Sequence, residues 1–239
     1  MRAVARVPGD GEGALSRSGR LAVAAVIVGI GIGLIVFLTA AFLRSSPPTV
    51  DFASNHQAGQ PVSLTLETVG SIGYGAHPTW VSYLTLSPQT GQWVHTTLWD
   101  LPANTTINVT INQYDSGSPL RNQLLGLVQG TTGNVMMLNG KAVSLLNSNT
   151  GNGVGHTFSI PTLGINVPLE GVNGNAPNFC NAAPCTTEAH NVVKFSFVTP
   201  GPGNYPWQCF LPCGLGYLYG NGGPMQSVGY MDGFLKVVS

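Results

Sequence analysis

Histidine, cysteine and methionine residues near the end of the chain form a set of soft metal ligands. His156 stands at the start of an apolar run, Cys209 and Cys213 lie in the segment WQCFLPCG, and Met225 lies in GGPMQSVGYMDG. Imidazole nitrogen, thiolate and thioether sulfur together select copper over magnesium or calcium. These residues therefore predict a copper site on adjacent loops of a rigid domain. Rigid ligands reorganise little when an electron moves, which favours electron transfer.

The other cysteines and one more histidine are weaker candidates. Cys180 and Cys185 lie in NFCNAAPC, within a loop rich in Gly, Asn and Pro, and we predict a disulfide that stiffens this loop. His190 begins a later strand and is a candidate for a second imidazole ligand. Four cysteines allow three pairings, and Cys209 with Cys213 could also form a disulfide outside the cytoplasm. Met231 and His95 are weaker ligand candidates.

An apolar segment near the N-terminus is expected to anchor these elements to a membrane. Residues 21–43 contain no charge, and a helix of this length covers the roughly 30 Å hydrocarbon core of a bilayer. Four arginines precede the segment and Arg44 alone follows it closely, which predicts a cytoplasmic N-terminus. A cleaved signal peptide is the alternative, although its apolar region would be shorter. We expect residues 1–20 to be a cytoplasmic tail and residues 44–60 a linker.

The rest of the chain has the pattern of an all-β domain. Residues 62–69, 80–86, 93–99 and 105–114 alternate apolar and polar side chains and end at Gly, Pro, Asn or Asp. Further short strands are expected at 155–169, 191–199, 205–210 and 234–239. Many short strands predict a Greek-key sandwich or barrel over residues 61–239, outside the membrane. Residues 115–155 do not distinguish strand from short helix.

Composition and charge exclude several functions. Only 8% of the 239 residues are charged, and the 32 glycines and 17 prolines suit strands joined by tight turns. Beyond residue 44 the acidic residues outnumber the basic ones, so no basic patch for nucleic acid is expected. The chain has no nucleophile elbow, zinc-protease motif or phosphate-binding glycine loop, so a stand-alone enzyme is not indicated.

Two segments resemble the copper domain of cytochrome c oxidase subunit II, which has the cupredoxin fold. Residues 155–167 (GHTFSIPTLGINV) resemble the first ligand segment of that family, and residues 202–214 resemble its Cys-x3-Cys segment. The resemblance covers about 155–239 and implies that His156 is the first histidine ligand and that Cys209 and Cys213 are bridging thiolates. The chain departs from the family at the second histidine and the methionine, where it has Tyr217 and Gly220. The family also has two membrane helices where this chain has one.

The expected function is a membrane-anchored, cupredoxin-like copper protein that transfers electrons at the outer face of the membrane. A cytochrome or a terminal oxidase is the expected partner. Copper delivery or storage would use the same ligands. The alternatives are a metal-free binding or structural module with two disulfides, and an accessory oxidase subunit whose copper site is degenerate.

Overall fold

The computed structural model describes residues 16–40, 46–214 and 222–239. Contacts divide the chain into two compact units, Met1–Ser45 and Ser46–Ser239. The predicted tail up to residue 15, residues 41–45, and the family positions Tyr217 and Gly220 lie outside the described residues.

The first unit contains one apolar helix, α1 (Arg17–Leu38). The side chain of Ser16 caps the helix by accepting a hydrogen bond from the backbone N–H of Gly19 at 3.2 Å. The helix therefore begins four residues before the predicted segment, inside the stretch that we expected to be tail. By length and composition α1 is able to cross a membrane, with a mean hydropathy of 3.0 in its most apolar window.

The second unit is built from short strands, as the alternating pattern predicts. The described residues form β1 (Val50–Asp51), β2 (Val62–Val69), β3 (Ser82–Leu86), β4 (Trp93–Val94), β5 (Leu98–Pro102), β6 (Thr106–Gln113), β7 (Met136–Leu138), β8 (Lys141–Val143), β9 (Val154–Ile160), β10 (Ile165–Glu170), β11 (Asn191–Val198), β12 (Gly203–Gln208) and β13 (Asp232–Val238).

These strands form two mixed sheets. One has the order β1-β5-β13-β12-β9-β10, and the other has the order β4-β3-β2-β6-β11-β7-β8. Apolar side chains from both sheets share one core, since period-two alternation turns one face of each strand inward. The prediction of an all-β sandwich with a single N-terminal helix is confirmed.

An aromatic stack holds together the strands that carry the site. Trp207 of β12 stacks on Trp99 of β5 and on Phe158 of β9, with ring centroids 5.1 and 5.7 Å apart. All three side chains are fully buried. Because burial of large aromatic rings dominates core energetics, this stack fixes β9 beside β12.

Two stretches differ from, or add to, the sequence-based expectations. Within the predicted linker, β1 pairs with β5, and Val50 and Phe52 are buried in the core. A two-residue strand is too short to show an alternating pattern, so sequence periodicity did not reveal it. The ambiguous stretch 115–155 contains the hairpin of β7 and β8 and short 3-10 turns.

Candidate metal centre

His156 lies on strand β9, which places its side chain in the candidate site. Every residue of this strand is buried, and the His156 side chain shares its face with Phe158 of the aromatic stack. The residue as a whole is only 1% exposed. A buried imidazole needs partners for both of its nitrogens, and the structure supplies them on opposite sides of the ring.

Cys209 follows the last residue of β12. Gln208 pairs with Ser159 of β9, so the chain leaves β12 alongside the strand that carries His156. The backbone N–H of Cys209 donates to the carbonyl of Met231 at 3.0 Å, which fixes the start of the loop. The next N–H, of Phe210, donates to the Thr157 hydroxyl at 2.8 Å. The loop that carries the sulfurs is thus fastened to β9.

The structure brings together the three residues that the sequence placed in one site. The Nδ1 atom of His156 lies 2.9 Å from Sγ of Cys213 and 3.9 Å from Sγ of Cys209. The two sulfurs are 3.2 Å apart, and both cysteines are free. All three ligand atoms lie within 4.8 Å of one another, a spacing that suits one shared metal site.

Hydrogen bonds and charge set the protonation of the three groups. Burial lowers the pKa of His156, but hydrogen bonds to Asp115 and Cys209 and their negative charges raise the pKa to about 9. Burial alone would raise the pKa of Cys209. Hydrogen bonds from Cys213 and His156, together with the positive charge of the imidazolium, have the larger effect and hold this pKa well below its usual value. The hydrogen bond to Cys209, together with burial, raises the pKa of Cys213.

These directions of the three pKa shifts favour an imidazolium at His156, a thiolate at Cys209 and a protonated thiol at Cys213. The backbone N–H of Thr157 supports this assignment, since it points at Sγ of Cys209 from 3.3 Å. A backbone donor stabilises the charged form of a buried sulfur. The thiolate form of Cys209, which is the form that binds metals, is therefore favoured, and no disulfide joins the two cysteines.

Asp115 is a partner of the centre that sequence reasoning missed. Its Oδ2 atom lies 2.9 Å from Nε2 of His156, on the side of the ring opposite the sulfurs. The residue lies two positions after the end of β6, in the sequence Asp-Ser-Gly, which has the composition of an ordinary turn. Its neighbours in the sequence do not show whether this acid supports a histidine or only starts a turn.

Met225 and His190 occupy different surroundings. Met225 lies in a 3-10 turn, Pro224–Gln226, and its carbonyl accepts a hydrogen bond from the Gln208 side chain at 2.8 Å. Its backbone is therefore next to the residue that precedes Cys209, and its role as a ligand stays a prediction. His190 is exposed, with Nδ1 2.7 Å from the carbonyl of Glu188 and its ring 4.8 Å from that of Tyr114. Among the described residues the group that could hold a metal ion comprises His156 and the two free cysteines, without His190.

Cys180 and Cys185 are joined in the disulfide that the sequence predicts. Both sulfurs are buried in a second, smaller apolar cluster, whose other members include Val69, Ile72 and Leu84. The crosslink closes a small ring within the long loop after β10, and its buried sulfurs pack this loop against Val69 of β2.

An open cleft of about 490 Å³ adjoins the centre. Asp115, His156 and Cys213 line the cleft, together with Trp80 and Pro212. The cleft gives solutes a path to the edge of the cluster where Cys213 lies.

No protein-family model and no curated protein matches the sequence. Among solved structures, the chain is similar to the copper protein rusticyanin, with a TM-score of 0.32 and 14% identity over 85% of this chain and 94% of that chain. Rusticyanin from Thiobacillus ferrooxidans gives a TM-score of 0.29 and 14% identity over 84% and 92%.

A haem-copper terminal oxidase dimer is also similar, with a TM-score of 0.30 and 14% identity over 92% of this chain and 98% of the oxidase chain. Such TM-scores mark distant matches. The case for a copper site in this chain therefore depends on its own side chains.

Proposed function

We propose that this chain is a membrane-anchored copper protein that transfers electrons at the outer face of the membrane. The observation that carries the proposal is that Nδ1 of His156 and the reduced sulfurs of Cys209 and Cys213 converge on one buried point. Bound copper would supply a centre that takes up and releases one electron at a time. A cytochrome or a terminal oxidase is the proposed partner.

The donor set fits copper. One imidazole and two cysteine sulfurs, which would release their remaining protons on binding the metal, form a soft ligand group that suits copper and zinc and disfavours magnesium and calcium. The resemblance of residues 155–167 and 202–214 to the copper segments of oxidase subunit II favours copper over zinc. Met225 is proposed as a further, weaker ligand from the turn that adjoins Gln208.

The chain's own residues make the site rigid, which favours electron transfer, and shield one side of it from water. His156 projects from a strand buried along its whole length, and Cys209 is anchored through its backbone N–H. Tyr83, fully buried with its ring centroid 6.4 Å from that of His156, donates its hydroxyl to the Thr157 carbonyl at 3.1 Å. These contacts exclude water from one side of the centre and hold the ligands in place.

Anchoring by α1 would keep the domain near partners in the same membrane. The four arginines before the apolar segment support a cytoplasmic N-terminus, and the Cys180–Cys185 disulfide suits an oxidising compartment outside it. A tether raises the effective concentration of domain and partner without any new contact.

Copper loading of the full chain in detergent tests the proposal. Protein purified without reductant and mixed with one or two equivalents of copper(II) is expected to develop strong visible absorption from thiolate-to-copper(II) charge transfer, and zinc is expected to suppress it. A variant with both Cys209→Ser and Cys213→Ser should stay colourless. Colourless wild-type protein without free thiols would contradict the proposal and indicate the metal-free module with two disulfides. Colourless protein that co-purifies with haem proteins would instead indicate an accessory oxidase subunit.

A further inference from the structure

We infer that Asp115 is a positioning residue, which orients His156 so that Nδ1, and not Nε2, faces the metal; this inference rests on the proposed function. The ring presents Nδ1 to the two sulfurs and Nε2 to Oδ2 of Asp115. A carboxylate can only accept a hydrogen bond, so Nε2 keeps its proton and donates it to Asp115. The metal would then displace the proton on Nδ1 and bind the lone pair of that nitrogen.

The hydrogen bond between Asp115 and His156 is largely shielded from water, which strengthens it. The His156 side chain is 2% exposed and that of Asp115 is 20% exposed, so water competes weakly for the 2.9 Å hydrogen bond. Carboxylates in this position fix the tautomer and orientation of ligating histidines and raise their basicity. Removing such a partner typically weakens metal binding by about 10–100-fold.

Asp115 is itself held from three directions. Its Oδ1 atom accepts a hydrogen bond from the backbone N–H of Ser116 at 2.7 Å. Its carbonyl accepts from the backbone N–H of Val172 at 2.9 Å and from Nε2 of Gln113 at 3.1 Å. The turn after β6 and the segment after β10 therefore both fix the carboxylate beside the ring.

Gly70 leaves the space that this carboxylate occupies. A Cβ atom at position 70 would lie 2.6 Å from Oδ1 of Asp115 and 3.1 Å from its Cγ. The obstructed atoms are the end of a side chain, so Gly70→Ala is expected to fold while it pushes the carboxylate away from His156. This substitution tests the position of the acid without removing its charge.

The experiment compares Asp115→Ala, Asp115→Asn and Gly70→Ala with Asp100→Asn in the full chain in detergent. Asp100 is a suitable control because its carboxylate, 25% exposed, lies outside the centre and 3.8 Å from Lys236. Copper(I) affinity is measured by competition with a chromophoric chelator. Nitrogen-15 NMR of labelled histidine in the copper(I)-loaded protein reports which ring nitrogen carries the proton. Thermal unfolding confirms that each variant folds.

We expect Asp115→Ala to weaken copper(I) binding by about 10–100-fold and to abolish the single Nε2–H state of His156. Asp115→Asn keeps an acceptor oxygen but no charge, and Gly70→Ala keeps the charge at a longer distance, so both should lose less. Asp100→Asn should match the wild type. Unchanged affinity with a persisting Nε2–H signal in Asp115→Ala would overturn the inference.

The metal-free protein separates this inference from the proposed function. There the proton between Nε2 and Asp115 is expected to give a downfield signal that exchanges slowly and disappears in Asp115→Ala. If wild-type protein binds no copper but shows this signal, the proposed function fails and the contact with Asp115 stands. If the wild type binds copper and the signal is absent, the positioning role is overturned alone.

Discussion

The two cysteine pairs of this chain have similar spacing and different chemistry. The disulfide pair, Cys180 and Cys185, is joined covalently, whereas the ligand pair, Cys209 and Cys213, stays reduced with sulfurs 3.2 Å apart. Both pairs are buried, so exposure does not separate them. The difference lies in their neighbours, which are apolar side chains for the disulfide pair and the imidazole of His156 for the ligand pair.

Those neighbours give each pair its role. An imidazolium and the Thr157 N–H stabilise a thiolate at Cys209, which favours metal binding. The disulfide pair sits among apolar side chains of the second cluster and closes a short ring within its loop. The groups that folding places beside a cysteine pair, more than the spacing of the two cysteines, therefore decide whether the pair is oxidised or stays reduced.

Replacing both cysteines of each pair by serine should give the largest contrast. Cys209→Ser with Cys213→Ser removes two of the three ligands, so we expect copper affinity to fall by more than about 100-fold, beyond the loss typical for an outer partner. His156→Ala should have a similar effect. Copper competition titrations measure both.

Cys180→Ser with Cys185→Ser is the matched control for copper binding. It should retain wild-type affinity, because the disulfide pair lies in the second apolar cluster, away from the metal-binding group. Equal loss of copper in the two double variants would abolish the distinction between the pairs.

The same control variant should show the second-largest effect, on stability. Loss of a crosslink that closes a loop of this length is expected to lower the free energy of unfolding by about 2 kcal/mol in the chain-entropy model. Denaturant unfolding of the full chain under non-reducing conditions measures the change. A variant as stable as the wild type would show that the loop is restrained by other contacts.

A smaller effect, dependent on pH, should come from Glu67 on the β2 face that the disulfide loop covers. Burial and the charge of Glu188 raise the pKa of Glu67 to about 7 from 4.5. The folded state therefore holds this proton more tightly than the unfolded state, and the resulting stability is lost as pH rises from about 4.5 through 7. Glu67→Gln should thus be more stable than the wild type at pH 8, by about 1–2 kcal/mol after allowance for solvent screening, and little different at pH 4.

Unfolding curves of both proteins at pH 4 and pH 8 measure this difference. Glu188→Gln is the control, since it removes one cause of the shift and should move the pH dependence of the wild type to lower pH. A stability gap between Glu67→Gln and the wild type that does not change with pH would contradict the assignment.

The sequence carries enough information for the fold class and for the three residues that meet in the candidate metal site. Period-two alternation identifies most of the long strands, and the segments around His156 and Cys209 resemble known ligand segments. The short strand β1 was missed because Val50 and Asp51 are too few to show a pattern. Alternation assigns faces to strands, but it does not say which strands are neighbours.

The same limit explains why Asp115 was missed. It reaches the centre only because β6 ends beside β9 and because Gly70 leaves room, and both conditions are tertiary. The reduced state of the ligand pair was likewise left open, since spacing alone allows three pairings among four cysteines. The sequence thus indicates which residue types could bind a metal, whereas the folded structure shows which groups set their protonation and orientation.

X-ray absorption at the copper edge of the loaded full chain tests the central claim most directly. We predict a first coordination shell that contains sulfur scatterers from Cys209 and Cys213 and an imidazole nitrogen from His156, with the sulfur contribution absent from the Cys209→Ser, Cys213→Ser variant. A shell made only of nitrogen and oxygen, unchanged in that variant, would contradict the account.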